Sequence, residues 1–179
     1  MSAPKAFEQL LTTPELAPLG PGPRAGVQAE AALNRALTDI FSTSKLPRER
    51  QQLIRALILL WHDHLDTSHE IAQAIENSDG AFVHGIMHRR EPDYGNAKYW
   101  FHRVHQHGAF PEIADRVKVL LEEKGDPTPL VTPNGQWDPF AFVDYCEKLS
   151  RSKNVDAQEQ LLREVQKIET DALLNWFCR

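Results

Sequence analysis

All eight histidines fall between His62 and His107. Even placement along the chain would leave about two in that stretch, so the clustering marks it for chemistry. Imidazole is both a common metal ligand and the side chain that titrates near neutrality. The first group is Trp61-His-Asp-His-Leu-Asp-Thr-Ser-His-Glu70, where a continuous helix would put His62, Asp66 and His69 on one face. His62 and Asp66 then form a ligand pair, or a histidine oriented by a carboxylate. The second group is Gly80 to Glu91. His84 and His88 stand at i, i+4, a spacing that lets two imidazoles reach one ion, and Glu91 follows three residues later. Gly85 occupies the position where the helical metalloprotease motif has its glutamate, which excludes that enzyme class.

A third group runs from Arg89 to Arg103 across a proline-broken turn. Asn96, Tyr99, Trp100 and Arg103 share a helical face, and Arg89 precedes the turn. Arginine offers a bidentate grip on a carboxylate or phosphate, and the aromatic rings offer a stacking wall. Such a face suits a small polar or anionic molecule. The bland alternative pairs Arg89 and Arg103 with Glu91 and Asp93 to lock the turn. His102, His105 and His107 fall on different faces and are expected to be partly exposed. Nucleophilic catalysis has little support: Ser68 and His69 are adjacent only in sequence, and no glycine-rich phosphate loop is present.

These groups must be positioned by helices, because apolar residues recur at three- and four-residue steps almost throughout. Helices are expected over residues 5–12, 26–41, 47 to about 64, 67–75, 81–90, 94–106, 111–124, 139–152 and 156 to the end. The helix after Pro47 is apolar around much of its circumference and is expected to be central. Asp93 and Asp138 are expected N-caps, and Asp156 is expected to cap the last helix. Gly125 is expected as a C-terminal stop. The expected fold is all-α: a single-domain multi-helix bundle over 1–179, with a Pro-rich N-terminal segment. Residues 1–25 are expected as a poorly packed arm. Residues 125–139, with Pro127, Pro129, Pro133, Pro139 and Trp137, form a long Pro-rich loop before the last two helices and are read as a lid.

The stretch His84-Gly-Ile-Met-His-Arg-Arg-Glu-Pro-Asp-Tyr-Gly-Asn-Ala-Lys-Tyr-Trp-Phe-His-Arg-Val104, with the preceding Leu60 to His69, resembles a signature in a group of uncharacterised bacterial and fungal helical proteins. The resemblance spans about residues 57–110 and implies no activity. The His62/His69 segment also resembles helical-bundle metalloproteins of the damage-inducible type, in which three histidines on separated helices hold a metal. The His62-Asp63 doublet is similar to that of histidine-aspartate phosphohydrolases, whose other ligands have no motif here.

Net charge of −5 and a pI near 5.9 argue against a nucleic-acid partner, which would favour a basic stripe. No apolar run is long enough to span a bilayer, and Glu8 falls where a signal peptide needs apolar residues. Cys146 and Cys178 have no metal-type spacing, and a reducing, cytoplasmic location is expected. Three readings are open. The first is a metal-dependent hydrolase or related enzyme. His62, Asp66, His84 and His88 would hold a divalent Zn, Mn, Fe or Ni ion, Glu91 and His88 would be catalytic, and Arg89, Asn96, Tyr99, Trp100 and Arg103 would orient the substrate. The second is a metal-free binder of a small polar or anionic ligand. The third is a non-catalytic interaction protein whose histidines hold helices together. The sequence leaves oligomeric state open.

Overall fold

The fold is all-α. The structure, a computed structural model, describes residues 3–153 and 156–179; it is 67% helical, with no strand among those residues. In chain order the helices are α1 (Ala3–Leu10), α2 (Glu30–Thr43), α3 (Arg48–Trp61), α4 (Leu65–Gln73), α5 (Ser78–Arg90), α6 (Tyr94–Val104), α7 (Phe110–Lys124), α8 (Pro139–Ser150) and α9 (Asp156–Phe177). One hydrophobic cluster draws on every one of them.

Local chemistry sets the ends. Asn77 caps α5 by accepting the Gly80 amide at 3.0 Å, and Asp93 caps α6 by accepting the Asn96 amide at 3.1 Å. Asp138 accepts from Phe140 and Ala141 at the start of α8. Gly125 ends α7 in the left-handed conformation, which costs glycine little. Asp156 is the first residue of α9 rather than a residue ahead of it.

The expected central helix, α3, buries Leu53, Ile54 and every residue from Ala56 to Trp61. α5 is more enclosed still, since all its residues from Asp79 to Arg90 are buried. It packs against α3, α4 and α6. Each fully buried Leu, Ile or Phe in this layer contributes roughly 1.5–3 kcal/mol over its exposed form. Gly85 lets α6 come close: a Cβ there would lie 3.1 Å from the Phe101 ring. The glycine that excluded the metalloprotease motif therefore has a packing role.

Two expectations change. Residues 1–25 are not a poorly packed arm where they are described, because Phe7, Leu11 and Ala17 are core residues; Met1 and Ser2 lie outside the described residues. Arg24 ties this segment down through the Asp63 carboxylate, with its backbone amide at 2.9 Å and its guanidinium at 2.6 Å. The 125–139 loop is also anchored rather than poised as a lid. Leu130 and Trp137 are buried, Trp137 packs 5.5 Å from Phe142, and a bridge joins Val131 to Trp137. No helix of the structure is long and apolar enough to cross a membrane.

Candidate metal centre

The chain does not run straight from α3 into α4. The His62 amide donates to the Ile58 and Leu59 carbonyls at the end of α3, and Asp63 takes a left-handed φ of 68°. α4 then restarts at Leu65, burying Leu65, Ser68 and Ala72 against the core. His69 lies beside that buried stripe, half-buried, while His84 and His88 sit one turn apart on α5. Together these three rings offer one ligand nitrogen each, all within 4.8 Å of one another.

His84 occupies the middle of an aromatic stack. Its ring lies 3.8 Å from Trp100 at 18° and 4.8 Å from His88 at 17°. His69 meets both α5 histidines edge-on, at 4.5 and 5.2 Å between centroids. Zinc bound at about 2.0–2.1 Å by three imidazoles would place their nitrogens about 3.4 Å apart in tetrahedral geometry, so small ring rotations suffice to close the set.

Hydrogen bonding separates this group from the other buried histidines. His62 is fully satisfied: its Nδ1 accepts the Gln28 amide at 3.1 Å, and its Nε2 donates to the Leu10 carbonyl at 2.7 Å. His107 is satisfied too, with Nε2 donating to Asp79 at 2.8 Å and Nδ1 accepting the Ala109 amide at 3.1 Å. Both nitrogens of His84, only 2% exposed, have no partner. An unsatisfied buried polar atom costs roughly 1–3 kcal/mol. His88 Nδ1 lies 3.2 Å from Glu91 Oε2, within ion-pair range but out of line for a hydrogen bond.

Protonation follows from this setting. Burial, with neighbouring His88 and His69 adding to it, pushes the His84 pKa down to about 3. Burial also lowers His88, against the opposing pull of Glu91 and Asp93 and with the lowering influence of His69. His84 is therefore neutral at pH 7, the state in which imidazole donates a lone pair to a metal.

The sequence-derived ligand set is thus reorganised. His84 and His88 converge as expected. His62 does not join them: it is committed to two backbone groups and joins α3 to the N-terminal segment. Asp63 is likewise committed to Arg24 and Arg90, which leaves the His62-Asp63 doublet nothing to offer an ion. Asp66 is exposed and outside the triad. It shares an acidic cleft of about 350 Å³ with Glu30, Asp63 and Glu91. Glu91 therefore borders both that cleft and His88.

The proposed ligand-binding face divides similarly. Arg89 cannot reach a ligand: it is fully buried, bonded to Glu169 at 2.6 and 3.2 Å, and stacked 4.1 Å from the Phe142 ring centroid. Burial alone would lower its pKa, but Glu169 reverses this and holds it above the ordinary value. Asn96 is exposed, and its backbone amide donates to the cap. Tyr99 is 54% exposed. Trp100 backs His84, and Arg103 lies 5.3 Å from the Trp100 ring centroid. His107, expected to be partly exposed, is buried because Asp79 and Trp176 close over it.

His69 was expected on the face of His62 and Asp66 and outside the ligand set; the turn at Asp63 instead brings it to His84 and His88. No protein-family model, curated protein or solved structure matches the chain.

Proposed function

We propose that His69, His84 and His88 bind one divalent transition-metal ion, and that the bound ion activates water for a hydrolytic reaction. The observation that carries this reading is the contrast among buried histidines. His62 and His107 use both nitrogens within the protein, whereas His84 uses neither while two further imidazoles face it.

Three imidazoles leave a coordination position for water or substrate, the arrangement of catalytic rather than closed structural zinc sites. Among the metals expected from sequence, an all-imidazole set favours zinc, iron or nickel over manganese, which prefers oxygen ligands. A bound divalent ion lowers the pKa of its water to about 7 and supplies hydroxide at neutral pH. Glu91 is better placed to orient His88 than to act on the water. With its carboxylate beside Nδ1, a proton held there leaves Nε2 for the metal, and the carboxylate makes the ring a stronger donor.

Cobalt(II) titration tests this reading. Wild-type protein should develop d–d absorption that saturates at one equivalent and is displaced by zinc. His69→Gln should not develop it, and metal-dependent turnover of chromogenic esters and phosphate esters should follow occupancy. Absence of ordered cobalt absorption, or its persistence in His69→Gln, would remove the site. Ordered cobalt without turnover of any ester would remove the hydrolytic assignment alone.

A further inference from the structure

A separate cavity of about 380 Å³, sharing no lining residue with the acidic cleft, opens between the start of α5 and the end of α6. That volume is within the usual range for small-molecule sites. Its walls combine apolar surface from Ile75 and Trp100 with a cation, Arg103, and a carboxylate, Glu76. Neither charge is paired among the described residues, and they do not pair with each other; the Arg103 guanidinium lies 5.3 Å from the Trp100 ring centroid. Asn77, by contrast, is already committed to Gly80 and Glu49. His105 completes the rim, held at a left-handed φ of 52° that a side chain rarely adopts and that functional sites are known to retain.

Opposite charges facing one small space, beside an aromatic wall, match a ligand carrying both charges on a planar body. We propose that this cavity binds an aromatic α-amino acid. The ligand's carboxylate meets Arg103, its ammonium meets Glu76, and its ring packs on Ile75 beside Trp100. A simple anion would leave Glu76 facing it as a like charge, and a simple amine would face Arg103 in the same way. Arginine suits the carboxylate because its planar fork bonds both oxygens. The same Trp100 ring lies face-on to His84 at 3.8 Å, so occupancy of the cavity bears on the orientation of His84. That coupling rests on the metal reading above; ligand binding itself does not.

The test uses the full chain, stripped of metal by a chelator, and titrates L-phenylalanine calorimetrically. Two comparators each lack one charge: hydrocinnamate has no ammonium, and phenethylamine has no carboxylate. Phenylalanine should bind saturably, with each comparator about tenfold weaker, a loss of about 1.4 kcal/mol. Glu76 and Arg103 are both exposed, so Glu76→Gln and Arg103→Gln should fold normally. Arg103→Gln should weaken phenylalanine and hydrocinnamate alike, by about tenfold. Glu76→Gln should weaken phenylalanine and leave hydrocinnamate unchanged or tighter. No saturable binding of phenylalanine up to about 10 mM, or wild-type affinity for phenylalanine in both variants, would overturn the proposal. A zinc titration of the same preparation keeps the two claims apart. Zinc binding without phenylalanine binding refutes the cavity alone, and the reverse refutes the triad alone.

Discussion

His84→Leu should stabilise the metal-free protein and destabilise it relative to wild type once zinc is present. Leucine is close to histidine in volume and has no polar atoms, so it removes the two unsatisfied nitrogens of a side chain only 2% exposed. That relief is worth roughly 1–3 kcal/mol. Loss of the face-on contact with Trp100 offsets about 0.5–1.5 kcal/mol of it, leaving a net gain of about 1 kcal/mol at pH 7. Acid widens the difference. The folded pKa of about 3 lies below the ordinary 6.5, so between those values unfolding takes up a proton and wild-type stability falls as pH falls. At pH 5 the further loss is about 2 kcal/mol, at about 1.4 kcal/mol per pH unit. For a chain of this size each kcal/mol shifts Tm by about 2–4 °C. Thermal and urea unfolding in chelator should therefore favour the variant by a few degrees at pH 7 and more at pH 5. With free zinc at 100 times Kd, wild type gains about 2.7 kcal/mol and the variant gains none, so the order reverses. A variant less stable than wild type in chelator at both pH values would refute the reasoning, because His84 would then be making stabilising contacts of its own.

Arg89→Met should lose roughly 3–5 kcal/mol in urea unfolding, since it strands the fully buried Glu169 carboxylate, yet the folded fraction should keep its metal. His62→Phe should also lose stability, on the order of 2 kcal/mol, because the Leu10 carbonyl and the Gln28 amide are left unpaired; metal content should not change. Asp79→Asn should weaken the link that joins Arg50, His107 and Trp176, at a cost on the order of 2 kcal/mol at pH 7. Burial would raise the Asp79 pKa, but the His107 and Trp176 hydrogen bonds hold it below its ordinary 3.8. Its contribution is therefore fully present above that value and fades as pH falls further, so the gap between variant and wild type should close in acid.

Much of the fold was legible because helices announce themselves through periodicity and caps. Asp93, Gly125 and Asp138 each act where a short polar or flexible residue must, and α3 buries the residues that its apolar spread implied. The His84/His88 pair was legible for the same reason, as i, i+4 spacing survives any tertiary arrangement. The break at His62–His64 was legible only in part: one helix was expected to about His64 and another from Thr67, but not the turn that separates their faces. A polar stretch reads equally well as the end of one helix or the middle of a longer one, and only packing decides that His62 turns toward Leu10 and Gln28. Arg89 was misread for a related reason. Sequence cannot show that its partner, Glu169, lies 80 residues away on the last helix, so an arginine beside a histidine pair looked available for substrate. The N-terminal arm was misjudged because prolines and glycines forbid helix but do not forbid burial, as Ala17 and the Arg24–Asp63 bond show.

The most direct test of the account is metal content by plasma mass spectrometry on untagged protein purified without chelator, alongside His69→Ala and His62→Ala variants shown to be folded. Wild type and His62→Ala should each carry about one transition-metal ion per chain, and His69→Ala should carry none. Metal-free wild type that takes up no zinc, iron or nickel, or metal that survives in His69→Ala and disappears in His62→Ala, would contradict it.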